Sequence, residues 1–90
     1  MSNNLQGGDP EELRDFAREL EHVRSVLVSV NSELSRRISG SLRWEGPDAF
    51  VFKHAWRSSY SPVISQTATM LEETAALIKA QAAEQESASA

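Results

Sequence analysis

The sequence has no cysteine, only four glycines and three prolines, and only six aromatic residues in 90 positions. The absence of cysteine excludes disulfide bonds and metal sites built from thiolates. Few glycines and prolines argue against a fold with many tight turns and favour long helices. No stretch approaches the roughly 18 apolar residues that a membrane-spanning helix needs. A chain of this size without disulfides or a metal reaches stability by association, so we expect a partner chain.

The chain also lacks an excess of positive charge, because 13 acidic residues outnumber nine basic ones and the net charge is −4. Nucleic-acid-binding proteins carry a basic patch, and the only adjacent basic pair here is Arg36–Arg37, so we expect no nucleic-acid partner. The same balance disfavours a helix that lies on a membrane. Residues 1–8 lack both a positive side chain and an apolar run, which predicts a flexible tail rather than a signal peptide. We therefore expect synthesis in the cytoplasm and any export to proceed without a cleavable signal.

A first helix is predicted over about residues 10–39. Asp9 can cap it, Pro10 suits its first position and Glu12 can complete a capping box. Gly40 is expected to mark its end. Its apolar residues recur in steps of three and four, the a/d pattern of a heptad repeat, at Leu13, Phe16, Leu20, Val23, Leu27, Val30 and Leu34.

Residues 40–46 are predicted to form a turn, and a second helix to run from Pro47 to about residue 82. Two neighbouring rows follow this helix, so that one row can face the first helix and the other a second molecule. Pro62 interrupts the pattern, which predicts a bend, with a complete break at Ser59–Pro62 as the alternative. Residues 83–90 lose the periodicity and are predicted to be a flexible tail. One row is Ala49, Lys53, Trp56, Tyr60, Val63, Thr67, Met70, Thr74, Leu77 and Gln81, and the other is Phe50, Ile64, Leu71 and Ile78.

These elements predict an all-α fold, an antiparallel helical hairpin over residues 9–82 that dimerises into a four-helix bundle. Its partner is expected to be a second copy or another hairpin of the same kind. The predicted dimer interface and core comprise Leu13, Phe16, Leu20, Val23, Leu27, Val30, Leu34, Phe50, Trp56, Tyr60, Ile64, Met70 and Leu71.

No arrangement of reactive side chains indicates an enzyme. Glu19 and His22 have the spacing found in di-iron bundles, but such sites need a second copy of the motif, and His54 has Val51 three places before it. There is neither a glycine-framed serine nor a phosphate-binding glycine loop. We therefore expect no catalytic residues, no metal and no cofactor. Aromatic residues at helical spacing are expected to pack in the core, although Phe52 can be partly exposed and mark a contact surface.

The turn contains the most informative motif. Trp44-Glu45-Gly46 stands between two predicted helices of similar length and is followed by Pro47-Asp48-Ala49. Over nearly its whole length the chain resembles the WXG family of early-secreted-antigen-like proteins, which are small substrates of type VII secretion. The resemblance implies a paired hairpin that leaves the cell folded, through a membrane ATPase. It also implies that Trp44 and Gly46 form one half of a composite export signal.

The other half of that signal departs from the family pattern. The resemblance implies a Tyr-x-x-x-Asp/Glu motif at the C-terminal end of the partner's second helix, but the only tyrosine here is Tyr60, and Ile64 stands four places after it. This departure favours a heteromeric partner that supplies the motif. An intracellular structural or adaptor coiled coil without a role in secretion stays open as the alternative, in which Trp-x-Gly is only a turn. A membrane-active hairpin is a third reading, disfavoured by the acidic balance.

Overall fold

A computed structural model describes residues 8–89 as two long helical arms joined by a short turn. The predicted all-α hairpin is confirmed, and its described part measures 64 × 17 × 14 Å. The described residues contain no strand. The first arm consists of helix α1 (Pro10–Arg36) and a π-helical turn (Arg37–Ser41), and the second of helix α2 (Pro47–Ala55), a π-helical turn (Trp56–Tyr60) and helix α3 (Ser61–Ser89).

The first arm begins as predicted and ends slightly later. The Asp9 carboxylate accepts a hydrogen bond of 3.1 Å from the Glu11 N–H, and Pro10 opens the helix, where a missing N–H costs nothing. At the other end the Leu42 N–H donates to the Arg37 carbonyl over 2.8 Å, which adds a π-helical turn. Gly40 therefore lies inside the arm, and the turn is residues 42–46 rather than 40–46. Apart from Gly8, the predicted N-terminal tail lies outside the described residues.

Gly46 has the only positive φ among the described residues, +106°, while Gly40 lies outside that region. A Cβ atom at either position would meet no atom within 4 Å, so the backbone alone sets the cost of a side chain. We expect Gly46→Ala to lower the free energy of unfolding by about 1–2 kcal/mol, because an L-residue is strained at this φ. Gly40→Ala is the matched control and should raise it by about 0.5–1 kcal/mol. Urea denaturation followed by circular dichroism measures both, and equal effects would contradict the backbone explanation.

The second arm is continuous through Pro62. A π-helical turn precedes the proline, and the Ser61 N–H donates to the Trp56 carbonyl. This turn adds one residue where the missing N–H and the ring of Pro62 disturb the α-helical pattern. The alternative of a complete break at Ser59–Pro62 is wrong.

The predicted end of the second arm near residue 82 is also wrong, because helix α3 continues to Ser89. Two features explain the extension of the helix into the predicted tail. Residues 80–86 are alanine, glutamine and glutamate, which favour helix. Ala82 is completely buried and Glu86 binds Arg14, so this segment packs against the first arm.

The two arms meet along a narrow seam. Its second-arm residues follow each other in heptad steps of four and three: Ile64, Ala68, Leu71, Ala75, Ile78 and Ala82. On the first arm the seam is Leu13, Ala17, Leu20, Arg24, Leu27 and Asn31. Each described apolar residue that is fully buried is an alanine, with exposures of 0–3%. The arms therefore approach closely, and the hairpin encloses no large side chain completely.

The predicted first-arm row is corrected at four of its seven positions. Leu13, Leu20 and Leu27 lie in the seam, but Phe16, Val23, Val30 and Leu34 are 40–48% exposed. Ala17, Arg24 and Asn31 occupy the seam positions between the leucines. In the second arm, Ile64, Leu71 and Ile78 form the inner row, whereas Phe50 of the same predicted row is 72% exposed. The π-helical turn shifts the register between Phe50 and Ile64, so a constant heptad does not carry across it.

Candidate interaction surface

Polar and charged pairs link the two arms on one side of the seam. Arg14 binds Glu86, Lys79 binds Glu21 over 2.5 Å, and Arg24 reaches Glu72 over 3.6 Å. The hydrogen bond and positive charge of Arg14 lower the pKa of the Glu86 carboxyl. Arg14 and Glu21 each follow a seam leucine by one residue, so both side chains lie on the same side of the first arm. We call this side the ion-paired face.

The opposite side of the hairpin is apolar, and we call it the apolar face. Phe16, Val23 and Val30 each precede a seam residue by one place, so they lie across the seam from the ion-paired face. Because the two arms of the hairpin are antiparallel, residues that precede a seam residue lie on the same side of the hairpin in both arms. The ion pairs, which join residues on the other side of the seam, agree with this. The outer edge of the face on the first arm includes Glu19 and Glu33. Its large apolar residues are all 42–61% exposed: Phe16, Val23, Val26 and Val30 on the first arm, and Tyr60, Val63, Met70 and Leu77 on the second.

Two threonines lie within the apolar face, and their hydroxyl groups already have partners in their own helix. Thr67 Oγ1 donates to the Val63 carbonyl over 2.9 Å, and Thr74 Oγ1 donates to the Met70 carbonyl over 2.8 Å. A hydroxyl that bonds its own backbone needs no water partner. The apolar face can therefore be covered without leaving these polar atoms unsatisfied.

A chain of polar residues crosses the seam near the turn. Trp56 Nε1 donates to Ser35 Oγ over 2.9 Å, and Ser61 Oγ donates to Asn31 Oδ1 over the same distance. Asn31 Nδ2 donates to the Ser61 carbonyl and to Ser65 Oγ over 3.2 and 3.3 Å. Asn31 is 9% exposed, and no buried side-chain N or O of the described residues lacks a hydrogen bond. Because an unpaired amide is costly, this network fixes the register of the two arms.

The predicted recognition residues lie at an aromatic cluster beside the turn. The ring centroids of Trp44 and Phe52 are 5.6 Å apart, and Phe52 lies 6.5 Å from Trp56 and 6.4 Å from Tyr60. Trp44 remains 39% exposed. Since Tyr60 belongs to the apolar face, the cluster continues that face to the turn.

The charges divide between the two halves of the rod. Residues 31–62, the turn half, carry five cations and three acids, a net charge of +2, and the remaining four cations and ten acids give −6. All four cations of the acidic half, Arg14, Arg18, Arg24 and Lys79, bind a carboxylate. No cation of the turn half has an ion pair within residues 8–89, and we call this group the basic end: Arg36, Arg37, Arg43, Lys53 and Arg57.

A groove of about 350 Å³ lies beside the basic end, lined by Ser35, Ile38, Ser39, Lys53, Trp56, Arg57 and Ser61.

His22 is exposed, and the described part of the chain has no cluster of three His, Asp or Glu residues suited to a metal ion. In that part no helix is both long and apolar enough to cross a membrane.

The structure separates the predicted interface and core residues, together with Trp44 and Gly46 of the predicted motif, into three groups. Leu13, Leu20, Leu27, Ile64 and Leu71 lie in the seam; Phe16, Val23, Val30, Tyr60 and Met70 lie on the apolar face; Trp44, Trp56, Leu34, Phe50 and Gly46 lie near the turn. Sequence reasoning placed buried Ala49 in a predicted row but missed Ala17, Ala68, Ala75 and Ala82, although the last three recur every seven residues. Comparisons with protein-family models, curated proteins and solved structures found no match to this chain.

Proposed function

We propose that this chain is a non-enzymatic pairing module that binds a second helical hairpin through its apolar face, as a substrate or escort in type VII secretion. The apolar face is the observation that supports the proposal. Eight large apolar side chains, each 42–61% exposed, lie on one side of a rod whose other side is ion-paired. Contiguous exposed apolar surface of this kind marks an interaction site.

The composition of the core supports pairing independently. Within residues 8–89 the fully buried apolar residues are all alanines, and such a hairpin gains little hydrophobic stabilisation because alanine contributes little apolar area. A second hairpin on the apolar face would bury Phe16, Met70 and Leu77 as well. The product is a four-helix bundle with a core of ordinary size.

The distribution of charge supports an antiparallel arrangement of the two hairpins. In a pair of copies, that arrangement brings the turn half of each rod, with a charge of +2, beside the −6 half of the other. A parallel arrangement would instead place the two −6 halves together. Electrostatic complementarity of this kind fixes orientation more than affinity. A purified chain is therefore expected to pair with itself.

The role in secretion rests on the resemblance of Trp44 and Gly46, between two equal arms, to the WXG family. The second half of the family's export signal has no counterpart at Tyr60, where Ile64 replaces the acidic residue. We therefore propose that the exported complex contains a different hairpin, which carries that motif. Exposed Trp44 is available for recognition at the turn.

Export tests this proposal directly. We expect the tagged chain to reach the culture supernatant of its native host together with a second small hairpin, and to stay inside the cells when the secretion ATPase is deleted. Trp44→Ala should abolish export without loss of helicity, whereas Glu45→Ala, at the variable position of the same motif, should not. Export without the ATPase, or of Trp44→Ala at the normal level, would contradict the proposal. Retention of the wild-type chain inside the cell would favour an adaptor coiled coil.

A further inference from the structure

The basic end carries the most exposed large apolar side chain of the described residues. Phe50 is 72% exposed, and its ring stacks on His54 at a centroid distance of 6.5 Å. Lys53, His54 and Arg57 follow Phe50 by three, four and seven residues, so the four side chains share one side of the second arm. Phe52, which belongs to the aromatic cluster, points away from this side.

The groove that Lys53 and Arg57 line has the side chains expected of a binding site for an anionic group. Among the described residues, Lys53 and Arg57 line it without a carboxylate partner. The Ser39 and Ser61 hydroxyl groups, which also line it, donate to the Arg36 carbonyl and to Asn31, so the two cations supply the attraction for an anion. Its lining includes no acidic residue. We propose that the basic end docks on the surface of an anionic membrane, with a lipid phosphate at the groove and Phe50 in the headgroup region.

The overall acidity of the chain does not oppose this docking. The charge of −6 is spread over the far half of a rod 64 Å long. At physiological ionic strength the Debye length is about 8 Å, so most of the acidic half is screened when the turn points at the membrane. Basic residues near an anionic surface attract it, and an adjacent aromatic side chain adds apolar burial.

The placement of the cations favours a membrane over an acidic peptide. Arg36 and Arg37 belong to the first arm, Arg43 to the turn, and Lys53 and Arg57 to the second arm, so the five cations are distributed over all three segments at this end of the rod. A charged surface can attract them together. The docking side is also distinct from the apolar face, so the inference does not depend on pairing.

Co-sedimentation of the full-length chain with lipid vesicles tests the inference. We expect binding to vesicles of phosphatidylserine and phosphatidylcholine, none to phosphatidylcholine alone, and release at high salt. The double variant Lys53→Gln/Arg57→Gln should bind about 30-fold more weakly, and Phe50→Ser about 10-fold more weakly. The matched control Arg18→Gln/Lys79→Gln removes the same charge from the acidic half and should bind within about twofold of wild type. Circular dichroism should show that each variant stays helical.

Four results of the vesicle experiment would overturn the inference. They are no binding to the anionic vesicles, equal binding to both kinds of vesicle, an equal loss in the control variant, and wild-type binding by Lys53→Gln/Arg57→Gln. A titration of the Trp44→Phe variant with soluble anions, followed by the fluorescence of Trp56 in the groove, tests whether an anion other than a lipid binds there. Saturation by glycerol phosphate without vesicles would assign the groove to a soluble phosphate, and saturation by a polyglutamate peptide would assign it to an acidic protein segment; either result replaces the membrane as the ligand.

Discussion

Val23→Asp is expected to convert the proposed pair of hairpins into single chains and to reduce the helicity of the protein at the same time. Val23 lies in the middle of the apolar face and is 46% exposed in the single hairpin. In the pair, both copies of the new carboxylate would be buried among apolar side chains without a partner. Burial of an unpaired charge is strongly unfavourable, and we expect the dissociation constant to rise at least about 100-fold. Loss of pairing is expected to lower the helicity because, among the residues that the structure describes, the lone hairpin fully buries no apolar residue larger than alanine.

The first arm offers a closely matched control in Val28→Asp. Val28 is also 46% exposed and lies in the same helix, but it follows seam residue Leu27 and therefore lies on the ion-paired face. Both substitutions lower the intrinsic helix propensity by the same amount. The difference between the two variants in pairing and helicity therefore reports the contribution of the apolar face alone. We expect Val28→Asp to stay paired and helical.

Sedimentation equilibrium measures the result most directly. Wild type and Val28→Asp should have twice the chain mass of 9.9 kDa, and Val23→Asp should have the single mass. The thermal midpoint of wild type should also rise with protein concentration, as for any protein stabilised by association. A wild-type protein that is a stable, fully helical monomer would refute pairing. Equal behaviour of the two variants would place the partner on another surface.

Heptad spacing was sufficient to predict the two arms, because long rows of leucine and valine fit a helix far better than any other element. The same rows misplaced the seam. Hydrophobicity alone left Arg24 and Asn31 out of the predicted row, yet Arg24 lies in the seam with its guanidinium reaching Glu72, and Asn31 is satisfied by Ser61 and Ser65. A residue whose polar end has a partner can occupy a seam position, and that partner is visible only in three dimensions.

The charge separation shows a different limit of sequence reasoning. The net charge of −4 disfavoured a membrane partner, but a sum over the chain says nothing about where charges meet. The turn brings Arg36 and Arg37 of the first arm to the same end as Lys53 and Arg57 of the second. The exposure of Phe50 was missed for another reason: the π-helical turn before Pro62 shifts the register between Phe50, which precedes it, and Ile64, which follows it, so the two residues of one predicted row lie on different sides. Neither effect follows from spacing alone.

Ala75→Leu is expected to destabilise the hairpin itself. Ala75 is 1% exposed in the middle of the seam, where the close approach of the arms leaves no room for three more carbon atoms. Overpacking at such a site costs about 1–3 kcal/mol, a large share of the stability of so small a domain. Ala76→Leu is the matched control, because Ala76 is exposed and both changes keep a strong helix former. It should alter the free energy of unfolding by less than about 0.5 kcal/mol.

Urea denaturation at several protein concentrations separates this effect from that of the apolar face. Ala75→Leu forces the arms apart and so distorts the surface that the partner binds; it should lower both the urea midpoint and the affinity of pairing. Val23→Asp leaves the seam intact and should remove only the concentration dependence of the midpoint, together with the stability that pairing contributes. If Ala75→Leu stabilised the protein, the arms would have to stand far enough apart to accept a leucine, and the alanine seam would be wrong. Closure of the hairpin and the proposed pairing of two hairpins are thus expected to be separate steps, which depend on the alanines of the seam and on the large apolar residues of the apolar face, respectively.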